Sequence, residues 1–274
     1  MSDTVSPWGP PVPESPTPAP PAPPAAPSPL SEWIWGAIST LLLAGWIAWQ
    51  MSPLWAVAAV FGVFVHEFGH VLVINWAGSG PSRIRIIPFF GGAATMARPP
   101  TSDFKAVLIA VAGPIFGLLA TLPFFGLAAW TGVPGWRSGA FVIAAINLLN
   151  LTPATPLDGS KALGPILARI HPLLERAALF AVGAFAIAWT LSRGQMLLPL
   201  VIGLSLFAAL RSPRLRAPAE PLSAPQWAMG LALYLGALAL CAGVAAAAAI
   251  GSGVNLHFLS FGSFSFGHFF GGVR

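Results

Sequence analysis

Apolar stretches long enough to cross a bilayer recur along this chain, and that recurrence excludes most soluble folds. Runs of about 20 residues or more fall near 33–51, 54–77, 105–130 and 227–250, and shorter or interrupted ones near 138–151, 173–191 and 195–210. Only 8% of the residues are charged, against about 25% in soluble domains. The expectation is an all-α polytopic membrane protein with seven membrane segments and the lipid bilayer as its main partner. The fourth segment, 138–151, is too short to cross as a plain helix. Merging the weakly separated pair around Ser192-Arg193-Gly194 would leave six.

Charge placement sets the expected orientation. In segment order, ten of the thirteen basic residues, among them Arg83, Arg98, Lys161, Arg169, Arg176 and Arg211, fall on one side, whereas Arg137, Arg193 and Arg274 fall on the other. Basic loops face the cytoplasm, so the N-terminus is expected inside and the C-terminus outside, in a cell inner or plasma membrane. The same asymmetry accounts for the net charge of +5 without nucleic acid. Cys241 is the only cysteine and lies in the last apolar run, so no intrachain disulfide forms. The first thirty residues show neither a basic n-region nor a leading apolar core, so no cleaved signal peptide is expected.

Within the second run stands His66-Glu67-Phe68-Gly69-His70. Insertion scales charge roughly 2.5 to 3.5 kcal/mol for an ionised side chain at the centre of a spanning helix, so these residues are unlike filler. Residues four apart on a helix project from the same face, and His66 and His70 can grip one metal ion with Glu67 beside them. A catalytic zinc keeps one position open for water, which a neighbouring carboxylate can deprotonate. The alternative is a pair of core histidines bonded to helix neighbours.

Two histidines leave such a zinc short of a ligand, and Asp158 is the strongest candidate. The fourth run passes Asn147 and Asn150 into Leu151-Thr-Pro-Ala-Thr-Pro-Leu-Asp158-Gly159, where Pro153 and Pro156 interrupt the helix. Broken backbone at membrane depth is tolerated where it is buried in protein or lines a cavity. The competing role for Asp158 is to cap the helix beginning near Gly159.

Three further segments organise the chain. Residues 1–31 form a Pro-rich tail, with twelve prolines by residue 29, expected to be extended, disordered and cytoplasmic. Residues 82–96 alternate polar and apolar and then break at Gly91-Gly92, which reads as a small cytoplasmic β-hairpin. An extended peptide could add to its open edge. Residues 251–274 are Gly-, Phe- and Ser-rich and read as low-complexity sequence. His257 and His268 there are expected on the opposite side of the membrane from the motif's cytoplasmic loops.

Taken together, His66-Glu-Phe-Gly-His70 and Asn150-Leu-Thr-Pro153-Ala-Thr-Pro-Leu-Asp158-Gly159 resemble the motifs of the site-2 protease family of intramembrane zinc metalloproteases. Gly91-Gly92 and Gly113-Pro114 lie where that family's small-residue elements fall. The resemblance covers about residues 33–210. It implies a six-helix core over 32–211, with His66, His70 and Asp158 ligating one zinc per chain and Glu67 as catalytic acid and base. Residues 212–250 are then a loop and an added seventh span. The family often carries Gly-Pro-x-x-Asn where this chain reads Gly113-Pro-Ile-Phe-Gly117, so the polar contact from that Asn is expected to be missing. No soluble insertion is long enough for a PDZ domain, which makes this a minimal form.

The function expected is cleavage of another membrane protein's transmembrane helix by zinc-activated water, with Glu67 as general base, in regulated intramembrane proteolysis. Asn150 could bond the substrate backbone or the oxyanion, or cap the broken helix; Asn147 is the weaker candidate for that substrate role. The competing class is a metal-ion transporter or channel using the same cluster, in which Glu67 would be a ligand. A non-catalytic scaffold is the third reading. The substrate, its trigger and the oligomeric state are not legible in the sequence.

Overall fold

The computed structural model describes residues 29–87, 91–154, 157–192, 197–211 and 219–254. Most of the Pro-rich tail, His257, His268, Pro156, Arg193 and most of the Phe-rich segment therefore lie outside the described residues. In chain order the elements are α1 (Pro29–Gln50), α2 (Pro53–Trp76), β1 (Arg83–Ile87), β2 (Gly91–Thr95), α3 (Asp103–Leu119) and α4 (Leu122–Thr131). There follow α5 (Trp136–Asn150), α6 (Asp158–Ile170), α7 (Pro172–Ser192), α8 (Leu197–Arg211) and α9 (Ala224–Ala249).

Among the described residues, four stretches are long and apolar enough to cross a membrane: Pro53–Trp76, Asp103–Thr131, Pro172–Ser192 and Ala224–Ala249. They mark a multi-pass membrane protein. One differs in detail from the sequence reading. The segment near 173–191, placed among the shorter runs, is a full 21-residue helix, because the few charges near its start lie within its first turns, at the end of the apolar window. The run near 33–51 corresponds to α1, a 22-residue helix.

Local signals explain where the helices begin. Pro53 follows the Ser52 cap of α2, whose hydroxyl accepts from Trp55 N at 3.2 Å, and Pro is preorganised for a first helical position. Ser102 likewise accepts from Lys105 N at 3.3 Å at the start of α3, each cap satisfying a donor the helix leaves open. The turn at Leu151 stops α5 two residues before Pro153, as the prolines require, and α6 resumes at Asp158.

α2 is central, packed on α1, α3 and α5. Gly69 lets α3 come close: a Cβ there would lie 2.6 Å from Phe116 Cβ and 2.8 Å from the Ala112 carbonyl. Small residues at such crossings are the usual means of close approach in a bilayer, where no water drives helices together. Phe124, Ala140, Ile143 and Ala144 form one buried cluster with Ala58 of α2. Val107, Leu151, Ala162, Ile166, Tyr234 and Cys241 form another, joining α3, α6 and α9 around the end of α5.

The hairpin is present and antiparallel, with Ile84 opposite Ala94 and Ile86 opposite Gly92. Gly91 and Gly92 pair with β1 instead of breaking the strand, since glycine keeps both backbone groups of the ladder. β1 packs on α1 and β2 on α2.

Candidate metal centre

His66, Glu67, His70 and Asp158 are between 3% and 8% exposed. α2 supplies the first three from a single turn, and the α5–α6 interruption brings Asp158 to them across 88 and 92 residues of sequence. Asp158 Oδ2 lies 3.0 Å from His66 Nε2 and 3.0 Å from His70 Nε2, and the two Nε2 atoms are 3.1 Å apart. Asp158 Oδ1 meets Lys161 Nζ at 3.1 Å. The carboxylate thus faces the two rings and accepts from Lys161, and the capping alternative is not what the geometry shows.

The opposite side of each ring fixes its tautomer. His70 Nδ1 lies 2.8 Å from the Ile109 carbonyl, which only accepts, so this nitrogen carries the proton. His66 Nδ1 lies 2.8 Å from Asn147 Oδ1, and the Asn147 amide nitrogen donates to the Ile143 carbonyl at 2.8 Å. The network therefore assigns a donating Nδ1 to His66 as well. Both Nε2 atoms of the neutral rings are then acceptors, pointed at each other and at a carboxylate oxygen. A proton can bridge one pair at a time, whereas a cation joins all three.

The donor set fits zinc. Two imidazole nitrogens and one carboxylate oxygen are a usual catalytic triplet, and ligand atoms about 2.05 Å from a tetrahedral ion stand about 3.3 Å apart, close to the separations seen. The other groups on the rings are those that orient metal-ligating histidines. Gly113 of α3 completes the cradle, because a Cβ there would lie 2.7 Å from His66 Nε2 and 2.6 Å from His70 Cε1. Among the described residues this is the one group of three or more His, Cys, Asp or Glu side chains so placed.

Glu67 stands next to this set without joining it. Its Oε2 accepts from Ala94 N of β2 at 2.7 Å, which ties the hairpin to the site. That N–H points away from β1, so the free edge of β2 is the one turned toward Glu67.

Asn147 is fully buried and serves His66, a positioning contact that the sequence reading did not assign to it. The signal available was the demand of a ligating histidine for a partner on its second nitrogen. A Cβ at Gly117 would lie 2.6 Å from Asn147 Nδ2 and 2.7 Å from its Cγ. The space beside residue 117 therefore holds a carboxamide supplied from α5, and the polar contact expected to be missing has a source elsewhere. Asn150 is half-buried at the end of α5 and makes no side-chain hydrogen bond to any described residue.

Residues 34–155 match the Peptidase M50B-like family model. Across that segment the chain is similar to the Peptidase M50B-like family. It is 31% identical over 147 residues to sll0528 of Synechocystis, covering 51% of this chain and 38% of that protein. It is 30% identical over 173 residues to Rip3 of Mycobacterium tuberculosis, covering 60% and 42%. With MJ0392 of Methanocaldococcus jannaschii the identity is 29% over 143 residues, covering 47% and 40%. The words zinc metalloprotease stand in all three names. The chain spans about two fifths of the length of these relatives. The M50B-like segment holds His66, Glu67, His70, Gly113 and Asn147 and ends just before Asp158.

Proposed function

We propose that this chain is an intramembrane zinc endopeptidase of the site-2 protease type, cutting transmembrane segments of other membrane proteins. The observation that carries the reading is the meeting of three buried acceptor atoms with Glu67 beside them but outside the set. In a transport site Glu67 would be a ligand, so this arrangement favours the hydrolase over the ion pathway.

His66, His70 and Asp158 would hold one zinc ion, which supplies Lewis acidity toward water and the scissile carbonyl. Glu67 takes a proton from the attacking water as its oxygen bonds to the carbonyl carbon, and returns it to the amide nitrogen as the C–N bond breaks. Asn150, with its carboxamide uncommitted among the described residues, donates to the substrate backbone or to the developing oxyanion. The free edge of β2 offers main-chain groups to an extended peptide and leads it past Glu67. Because a helix hides its amides in internal bonds, the substrate helix must unwind before it can be cut.

In this reading residues 32–211 are the six-helix catalytic core and 212–250 a loop and added span, between the Pro-rich segment 1–31 and the Phe-rich segment 251–274. The basic loops face the cytoplasm, no nucleic acid takes part, and the biological setting is regulated intramembrane proteolysis. The test is a reconstituted assay, with full-length protein in liposomes carrying reporter transmembrane segments. Cleavage that stops with a zinc chelator and in Glu67→Gln is the expected result. Cleavage unaffected by Glu67→Gln, or metal flux without cleavage, would overturn the proposal.

A further inference from the structure

α9 lies outside the M50B-like segment, yet it carries a buried polar group that the hydrolytic chemistry leaves unused. Tyr234 is 5% exposed, sits among apolar side chains, and donates its hydroxyl to the Leu151 carbonyl at 2.7 Å. Leu151 is where α5 stops, and a carbonyl just past a helix end has lost its ladder partner. No backbone N–H of the described residues donates to it, and the residue is fully buried. An unpaired acceptor at this depth is costly, and the Tyr234 hydroxyl is what satisfies it.

That same carbonyl bears on the metal centre. Gly159 packs directly against the Leu151 and Thr152 carbonyls, so closely that a Cβ at 159 would collide with both. Gly159 adjoins Asp158, whose Oδ2 faces both Nε2 atoms at 3.0 Å. Three consecutive contacts therefore run from the Tyr234 hydroxyl through Leu151 and Gly159 to the third ligand.

We propose that Tyr234 is a positioning residue for Asp158, and that the C-terminal span is thereby part of the metal centre's support. The added helix is stitched to the core elsewhere too, by Trp227 Nε1 on the Ile166 carbonyl at 3.0 Å and Arg137 on the Ile250 carbonyl at 3.1 Å. Tyr234 differs from these in bonding the carbonyl at the end of α5 against which Gly159, the neighbour of the ligand, packs. The inference rests on the zinc reading above and deepens it.

The experiment uses full-length protein in detergent as wild type, Tyr234→Phe and Trp227→Phe. Phe at 234 keeps the ring and its packing and removes only the hydroxyl; Trp227→Phe removes a bond of similar length between α9 and α6. Zinc affinity is read by competition with a chromophoric chelator, ligand geometry by the visible spectrum of the cobalt(II) form, and fold integrity by the thermal midpoint of metal-free protein. Tyr234→Phe is expected to weaken zinc about tenfold or more, the usual size for groups that support ligands, and to alter the cobalt bands. Trp227→Phe should leave both unchanged, with metal-free midpoints of the two variants shifted alike. Wild-type affinity and spectrum in Tyr234→Phe would overturn the proposal, and so would equal weakening by Trp227→Phe. Wild type that binds no zinc would instead overturn the metal-centre reading beneath it.

Discussion

Gly113→Ala introduces a single methyl group where the structure leaves room for a cation. The added carbon would lie 2.7 Å from His66 Nε2, which must retreat by about 0.7 Å to reach the 3.4 Å of ordinary contact; His70 lies closer still. Neither ring is free to move, because each Nδ1 is bonded at 2.8 Å to Ile109 or Asn147. Zinc sites tolerate about 0.2 Å in ligand distance, so at least one ligand is lost. Apparent zinc binding of about 10 to 16 kcal/mol over four ligands gives roughly 3 kcal/mol for each, or a factor of about 100 in affinity. The helix itself gains, since Ala is favoured over Gly in a helix interior by roughly 0.5 to 1 kcal/mol. The overlap with the pinned rings outweighs that gain, so the metal-free thermal midpoint should fall, and chelator competition should show zinc affinity down about 100-fold in the variant. Wild-type zinc affinity in Gly113→Ala would refute the placement of the ion between the two Nε2 atoms on the α3 side.

Other outcomes follow from the same contacts. Asn147→Ala leaves His66 Nδ1 without its acceptor, and zinc affinity should fall about 10- to 100-fold in the same titration. Ala94→Pro deletes the N–H bonded to Glu67 without removing a bond to β1; cleavage of a reporter segment should slow severalfold while zinc affinity stays unchanged. Replacing Gly, Pro or Asn by Leu near the cut in a cleaved substrate should slow proteolysis, followed by product bands over time, because Leu favours the helix that must unwind. Unchanged rates across that series would remove the unwinding step.

The site candidates were legible because their chemistry conflicts with their surroundings: His66, Glu67 and His70 stand out in an apolar run, and Pro153 announces the break that lets Asp158 return. The hairpin was legible from alternation in 82–96. Gly113 was visible only as a small residue, since nothing in a glycine shows that its missing side chain is the space for an ion. Asn147 was weighed for its distance along α5 from Asn150, whereas its partner His66 is 81 residues away and only packing could bring them together. α9 was evident as an apolar span. Its packing on α3, α5 and α6 was not, because one Tyr hydroxyl in a long apolar helix carries no periodic signal.

Zinc content is the most direct test of the central claim, measured on detergent-purified wild type and on His66→Ala, Asp158→Ala and Glu67→Gln. One zinc per chain in wild type and in Glu67→Gln, lost in the other two, is the expected result. Loss of zinc in Glu67→Gln would make Glu67 a ligand and point to an ion pathway, and wild type without zinc would contradict the enzyme reading outright.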